Sequence, residues 1–341
     1  MRAAARAVVA VAIVAGLFVA APAQAKRESR LSSLRTDAAR PYRLFVPDAP
    51  PRSGRALVVA LHGCTQHSLD FAVGSRWTEL AQAQNFLVLF PEQPSTANGM
   101  NCWNWFDSAQ QTRDGVEPTA IAQLTRRVIA EHRIDPGKVF VTGVSAGADM
   151  TAILAATYPD LFAASAPFAG CAFATCADAS GTLAYKAMGN YARPVPSMVI
   201  QGTADPLNNL AMGETLIRQQ VGTSDWADDG ALNASVTPDV PEHFDAESGE
   251  NTQLCVRNES YPCPAGATGW TSYPYTVERY RSDGRVVVEA WIIHGLAHNY
   301  PGGRIRENDP ATPEDERTTF VDPAGPDITT AIYEFFLRNA R

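Results

Sequence analysis

Residues 139–157 read VFVTGVSAGADMTAILAAT: a β-rich apolar run, then Gly143-Val-Ser145-Ala-Gly147, then a stretch of good helix formers. This spacing has a chemical reason. A strand that turns straight into a helix lifts the serine oxygen clear of the sheet, and only residues as small as glycine beside it let the backbone turn so tightly. The start of the following helix then offers N–H groups to a negative charge developing nearby. A serine that only caps a helix is the plain alternative. The flanking strand and helix favour Ser145 as a nucleophile.

The rest of the chain has the rhythm this turn requires. Short apolar runs at Leu57 to Leu61, Phe86 to Phe90, Val139 to Val141, Ser197 to Ile200 and Val286 to Ile293 are strand candidates. Helical patterns fall between them at Thr119 to His132, Ala146 to Tyr158 and Ala211 to Gln220, with a last one near Pro326 to Arg341. Alternation of this kind predicts an α/β fold with a mostly parallel sheet covered on both faces. Asp283-Gly284, between two β-rich runs, predicts a hairpin near the far edge of that sheet. Ile121, Leu124, Val128 and Ile129 at helical spacing are core positions. Residues 225–275, rich in Asp, Glu, Asn, Gly and Pro, read as an irregular surface insertion within a single catalytic domain over 26–341.

A serine hydroxyl is a poor nucleophile without a base, and in sheets of this type the partners follow it in the order acid, then histidine. His243, His294 and His298 are the histidines after Ser145, and His243 lies in the insertion. His294 ends an apolar strand. His298 lies in Gly295-Leu-Ala-His298-Asn-Tyr-Pro-Gly302-Gly303, a loop able to reach over the carboxyl end of the sheet, and is the expected base. Asp205 follows the buried-strand pattern Pro196 to Ile200 and a glycine turn, and is the expected acid; a simple Asx turn before Pro206 is the alternative. The oxyanion hole needs two N–H donors, expected from Ala146 and from Cys64 in His62-Gly63-Cys64-Thr65-Gln66. Trp103, Asn104 and Trp105 are candidate substrate contacts, with Asp149, one helical turn past Ser145, lining the site. For the tryptophans, ordinary packing is the competing expectation.

Residues 1–25 carry Arg2 and Arg6, an apolar run, and Ala23-Gln-Ala25, which reads as a secretory signal cut after Ala25. The run is shorter than the ~20 residues needed to span a bilayer, so no membrane anchor is expected after cleavage. Removing it takes the net charge from −8 to −10, which disfavours nucleic acid as a partner. A secreted or periplasmic location suits six cysteines. Their spacing favours Cys171 with Cys176 and Cys255 with Cys263, leaving Cys64 with Cys102. There is no C-x-x-C pair and no H-E-x-x-H, so no metal is expected.

Several separated blocks resemble the esterases of the poly(3-hydroxybutyrate) depolymerase family. These are Leu61-His-Gly-Cys-Thr-Gln66, Pro91-Glu-Gln93, Cys102-Trp-Asn-Trp-Phe106, Val139 to Gly147, Ala155-Ala-Thr-Tyr-Pro159, Gly202-Thr-Ala-Asp205 and Val288-Glu-Ala290. The resemblance implies an α/β-hydrolase fold, no cofactor or metal, and Ser145, Asp205 and His298 as the triad. It departs at Ala148-Asp149, where such sequences usually have Gly first, and in the length of the insertion. The expectation is a secreted serine esterase acting through an acyl-enzyme on short-chain polyhydroxyalkanoate-type polyesters or oligomers. The alternatives are a feruloyl or acetylxylan-type carbohydrate esterase, or a hydrolase of a polyanionic amide polymer such as poly(aspartic acid). The last would want a cationic stripe including Arg304 and Arg306.

Overall fold

The computed structural model describes residues 32–35, 41–50, 53–245, 272–304 and 320–341. The expected signal segment, residues 1–25, and Cys255, Cys263 and Arg306 lie outside the described residues.

Six parallel strands form the centre of one large sheet. They are β3 (Leu57–Leu61), β4 (Leu87–Pro91), β5 (Val139–Val144), β6 (Ala164–Phe168), β7 (Ser197–Gly202) and β11 (Arg285–Ile293). Their spatial order is β4-β3-β5-β6-β7-β11. Antiparallel strands close both sides. β2 (Pro41–Phe45) pairs β4 and carries β1 (Ser32–Arg35); on the far side β10 (Tyr275–Ser282) pairs β11 and carries β8 (Thr237–Pro238) and β9 (Glu242–Phe244). The Asp283-Gly284 hairpin lies where the sequence puts it, at this far side.

Every residue of β3, β5 and β7 is buried, as a strand covered on both faces must be. Helices α1 (Ser68–Gly74), α2 (Trp77–Gln84) and the C-terminal α7 (Ile328–Arg338) cover one face through Phe71, Trp77, Phe335 and Phe336. On the other, α3 (Val116–His132) and α4 (Ala146–Thr157) bring Ile121, Leu124, Met150 and Ile153. Leu216 of α6 (Leu210–Asp229), the helix that follows α5 (Thr182–Met188), extends that layer onto Val199 and Ala290. Phe336 stacks on Phe140 of β5 at 4.7 Å between ring centroids, so α7 presses on the strand that leads to Ser145.

Several features differ from the sequence reading, which also lacks β1, β2, α1 and α2. β6 is absent from the predicted strands because ASAPF has no β-branched residue and contains Pro167, yet its burial between β5 and β7 makes it a strand. The helix expected to end at Gln220 runs to Asp229, so the insertion begins later than Asp225. Its entry is ordered by the buried Asp225, which accepts from the N–H groups of Asn233, Ala234 and Val236 and from the Ser235 hydroxyl. Residues 237–238 and 242–244 then add strands to the sheet.

Because α7 braces β5 through the stacked Phe336–Phe140 pair, Phe336→Ala is expected to cost about 3–5 kcal/mol of stability. Urea unfolding measures this; an unchanged midpoint would contradict the bracing role.

Candidate active site

Ser145 sits between β5 and α4 at φ 56° and ψ −125°, a backbone conformation that L side chains rarely adopt. The glycines explain how it is held. A Cβ on Gly143 would run into the Gly147 carbonyl, and one on Gly147 would run into the carbonyls of Leu61 and His62. The turn therefore needs its two glycines and packs directly on the end of β3. The Ser145 N–H bonds to the Phe168 carbonyl at 3.0 Å, which ties the turn to β6 as well.

Asp205 and His298 come together after the parallel pair β7 and β11. His298 Nδ1 lies 2.7 Å from Asp205 Oδ2, and both side chains are buried. The other carboxylate oxygen accepts from the N–H groups of Leu207 and Asn208 at 2.8 and 2.9 Å. A carboxylate fixed from both sides in this way sets the orientation and tautomer of the imidazole, leaving Nε2 for a partner. Two further side chains brace the pair that no sequence signal marks. The Asn208 amide donates to the Ala169 carbonyl, and the Phe320 ring stands edge-on to His298 at 6.0 Å. His294, the alternative base, turns away: its Nε2 meets Thr276 Oγ1 at 2.8 Å, and the same hydroxyl meets His243 Nδ1 at 3.0 Å.

The loop after β3 lies against Ser145. A Cβ on Gly63 would stand 3.3 Å from that of Ser145. Cys64 of this loop is bonded to Cys102, and Cys171 to Cys176. Among the described residues the N–H groups of Cys64 and Ala146 have no hydrogen-bond acceptor, as oxyanion donors must. The Cys255 to Cys263 pairing lies outside the described residues.

The expected substrate contacts divide. Trp103 is fully buried, with its indole N–H donating to the His62 carbonyl at 3.0 Å, so packing takes this residue and the substrate role is withdrawn. Asn104 spends its amide on Glu117 at 2.7 Å and on Asn98 at 2.8 Å, which makes it a loop brace. Trp105 is half-buried and meets the exposed Phe106 edge-on at 5.8 Å. Asp149 is buried in the first turn of α4, and its Oδ1 accepts from the Cys171 N–H at 2.7 Å. Burial pushes its carboxyl up to about 8, against the opposing pull of that hydrogen bond. Arg304 is paired with Glu79 at 2.7 Å and is not free to build a cationic stripe.

With this geometry in place, comparison with known proteins is direct. A family model described as esterase PHB depolymerase matches residues 40–226, more than half of the chain. The chain belongs to that family. Poly(3-hydroxyalkanoate) depolymerase C of Paucimonas lemoignei is 46% identical over 125 residues, 37% of this chain and 30% of that one. Acetylxylan esterase A of Aspergillus oryzae is 38% identical over 119 residues, 35% of this chain and 38% of that one. The alignment thus spans about a third of the length of these curated relatives. A solved acetyl xylan esterase from Aspergillus awamori superposes with a TM-score of 0.57 at 22% identity, covering 79% of this chain and 92% of that one. The family members and this chain share the α/β-hydrolase fold.

The buried Asp149 makes stability depend on pH. In the folded protein it holds its proton up to about 8, whereas an unperturbed carboxyl releases it near 3.8. The folded state therefore binds the extra proton between those values, and stability is fullest below them and lost as pH rises through about 8. Asp149→Asn retains an acceptor for Cys171 and cannot ionise, so its stability relative to wild type is expected to rise across that window. Urea midpoints at about pH 5, 7 and 9 check this, and a pH-independent difference would contradict it.

Proposed function

We propose that this protein is an exported serine esterase that hydrolyses short-chain hydroxyalkanoate polyesters or their oligomers through an acyl-enzyme. The observation that carries the chemistry is the convergence of a strained serine turn, a buried Asp205–His298 pair and two uncommitted N–H groups at one end of the sheet. Ser145 Oγ attacks the ester carbonyl carbon while His298 Nε2 takes its proton. The carbonyl oxygen gains negative charge and is held by the Cys64 and Ala146 amides. Collapse of this intermediate breaks the bond to the alcohol oxygen, which leaves with the proton from the imidazolium. Water then repeats the sequence on the acyl-enzyme, losing a proton to His298, and the acid and free serine are released. Ser145 Oγ makes no hydrogen bond among the described residues, and the mechanism requires it to meet His298 Nε2 when substrate binds.

An apolar rim favours polyester over sugar ester. Four large apolar side chains stand exposed beside the machinery: Met100 at 60%, Phe106 at 54%, Leu207 at 61% and Phe320 at 39%. Each is tied to it. The Met100 carbonyl accepts from Thr65 next to Cys64, Leu207 donates to Asp205, Phe320 leans on His298, and Phe106 touches Trp105. A polyester of short hydroxy acids presents methyl-rich surface that such a rim can dehydrate, whereas a hydroxylated sugar chain presents little. The acetylxylan alternative draws on the acetylxylan esterases among the relatives. Two disulfides and the N-terminal apolar segment support export.

Release of product from 3-hydroxybutyrate oligomers is expected to exceed release of acetate from acetylated xylan. Ser145→Ala is expected to lower turnover by at least about 10⁴-fold, and Asp205→Asn by about 10⁴-fold. Mass analysis of the products checks both. Faster release from acetylxylan would transfer the assignment to a carbohydrate esterase, and full activity in Ser145→Ala would remove the mechanism.

A further inference from the structure

Beneath the oxyanion loop lies a buried hydrogen-bonded chain that the triad does not use. Glu117, in the first turn of α3, is 2% exposed. Its Oε1 accepts from Gln93 Nε2 at 2.6 Å and from Asn104 Nδ2 at 2.7 Å, and its Oε2 from the Asn104 N–H at 2.9 Å. Gln93 Nε2 also donates to the Cys102 carbonyl at 2.9 Å, and two acceptors around one atom fix which end of the amide is nitrogen. The Gln93 backbone N–H then donates to His62 Nε2 at 3.0 Å. That nitrogen must hold a lone pair, so the proton of His62 is on Nδ1, which lies 2.8 Å from the Gly63 carbonyl. Full burial lowers the His62 pKa, which favours the neutral ring that this arrangement needs.

The last link reaches the chemistry. In a trans peptide the carbonyl and the following N–H point in opposite directions, so anchoring the Gly63 carbonyl aims the Cys64 N–H the other way. We propose that Glu117 is a positioning residue for the reaction: through Gln93 and His62 it sets the direction of one oxyanion donor, and through Asn104 and Cys102 it holds the loop disulfide-bonded to Cys64. This inference rests on the esterase reading above. A carboxylate suits the role because, when ionised, it only accepts, so its donors have one way to arrange themselves. A neutral amide in its place has one acceptor atom for three donors, so its N–H₂ group meets at least one of them, the Asn104 N–H if the oxygen keeps the other two.

The full mature chain and its Glu117→Gln variant are compared on p-nitrophenyl butyrate, with butylboronic acid as a probe that forms a tetrahedral adduct on serine. Glu117→Gln is expected to lower kcat about 10- to 100-fold with KM nearly unchanged, and to raise the boronate Ki by a similar factor. Unchanged kcat and Ki in a folded variant, or a KM that rises as kcat holds, would overturn the proposal. If Glu117→Gln does not fold, Gln93→Met is read by the same criteria. The imidazole ¹⁵N shifts of wild-type His62 are an independent readout: a protonated Nδ1 and unprotonated Nε2 are expected, and the opposite tautomer would overturn the chain. Wild-type protein that turns over no ester and is not inhibited by the boronate would instead overturn the esterase reading itself.

Discussion

Contact between the backbone of the Ser145 turn and the end of β3 is the constraint on which the rest depends. Gly143 and Gly147 stand where any side chain would strike the carbonyls of Gly147, Leu61 or His62. That closeness holds Ser145 in a conformation that costs on the order of 1–3 kcal/mol, and the surrounding sheet sustains it. It also brings the two ends of β3 and β5 together, so the loop after β3, which carries Cys64, and the start of α4, which carries Ala146, face the same point. One steric fact thus places Ser145 and the two N–H groups proposed to hold the oxyanion.

The remaining parts are delivered by sheet order. β7 and β11 are parallel neighbours, with Gly202 paired to Ile293, so the loops that follow them leave the same end of the sheet. Asp205 and His298 are 93 residues apart in sequence and 2.7 Å apart in space for this reason. The described strands of the insertion between α6 and β10 extend the sheet on the outer side of β10.

Much of this was legible in the sequence because the chemistry is local there. The glycines flanking Ser145, the glycine turn before Asp205 and the glycine-rich loop around His298 each advertise a backbone requirement. What was not legible depends on contacts between distant segments. Nothing about Trp103 separates a buried indole bonded to His62 from an exposed binding surface, and only the fold decides. Phe320 comes near His298 because its backbone pairs with Tyr300, a link with no local signature. Glu117 looks like an ordinary acidic residue in the first turn of a helix. Its burial beneath two loops follows from the disulfide and hydrogen bonds that gather them. β6 was missed because four of its five residues, Ala164 to Pro167, carry no strand preference, and burial between two strong strands supplies what propensity lacks.

The central claim is that the Ser145 hydroxyl is made nucleophilic by His298 and Asp205. The most direct measurement is peptide mapping by mass spectrometry after treating the folded protein with a fluorophosphonate. The account predicts a single covalent adduct on the peptide containing Ser145, lost when His298 is replaced by alanine. No adduct, an adduct on another residue, or labelling of Ser145 that is indifferent to His298 would contradict it.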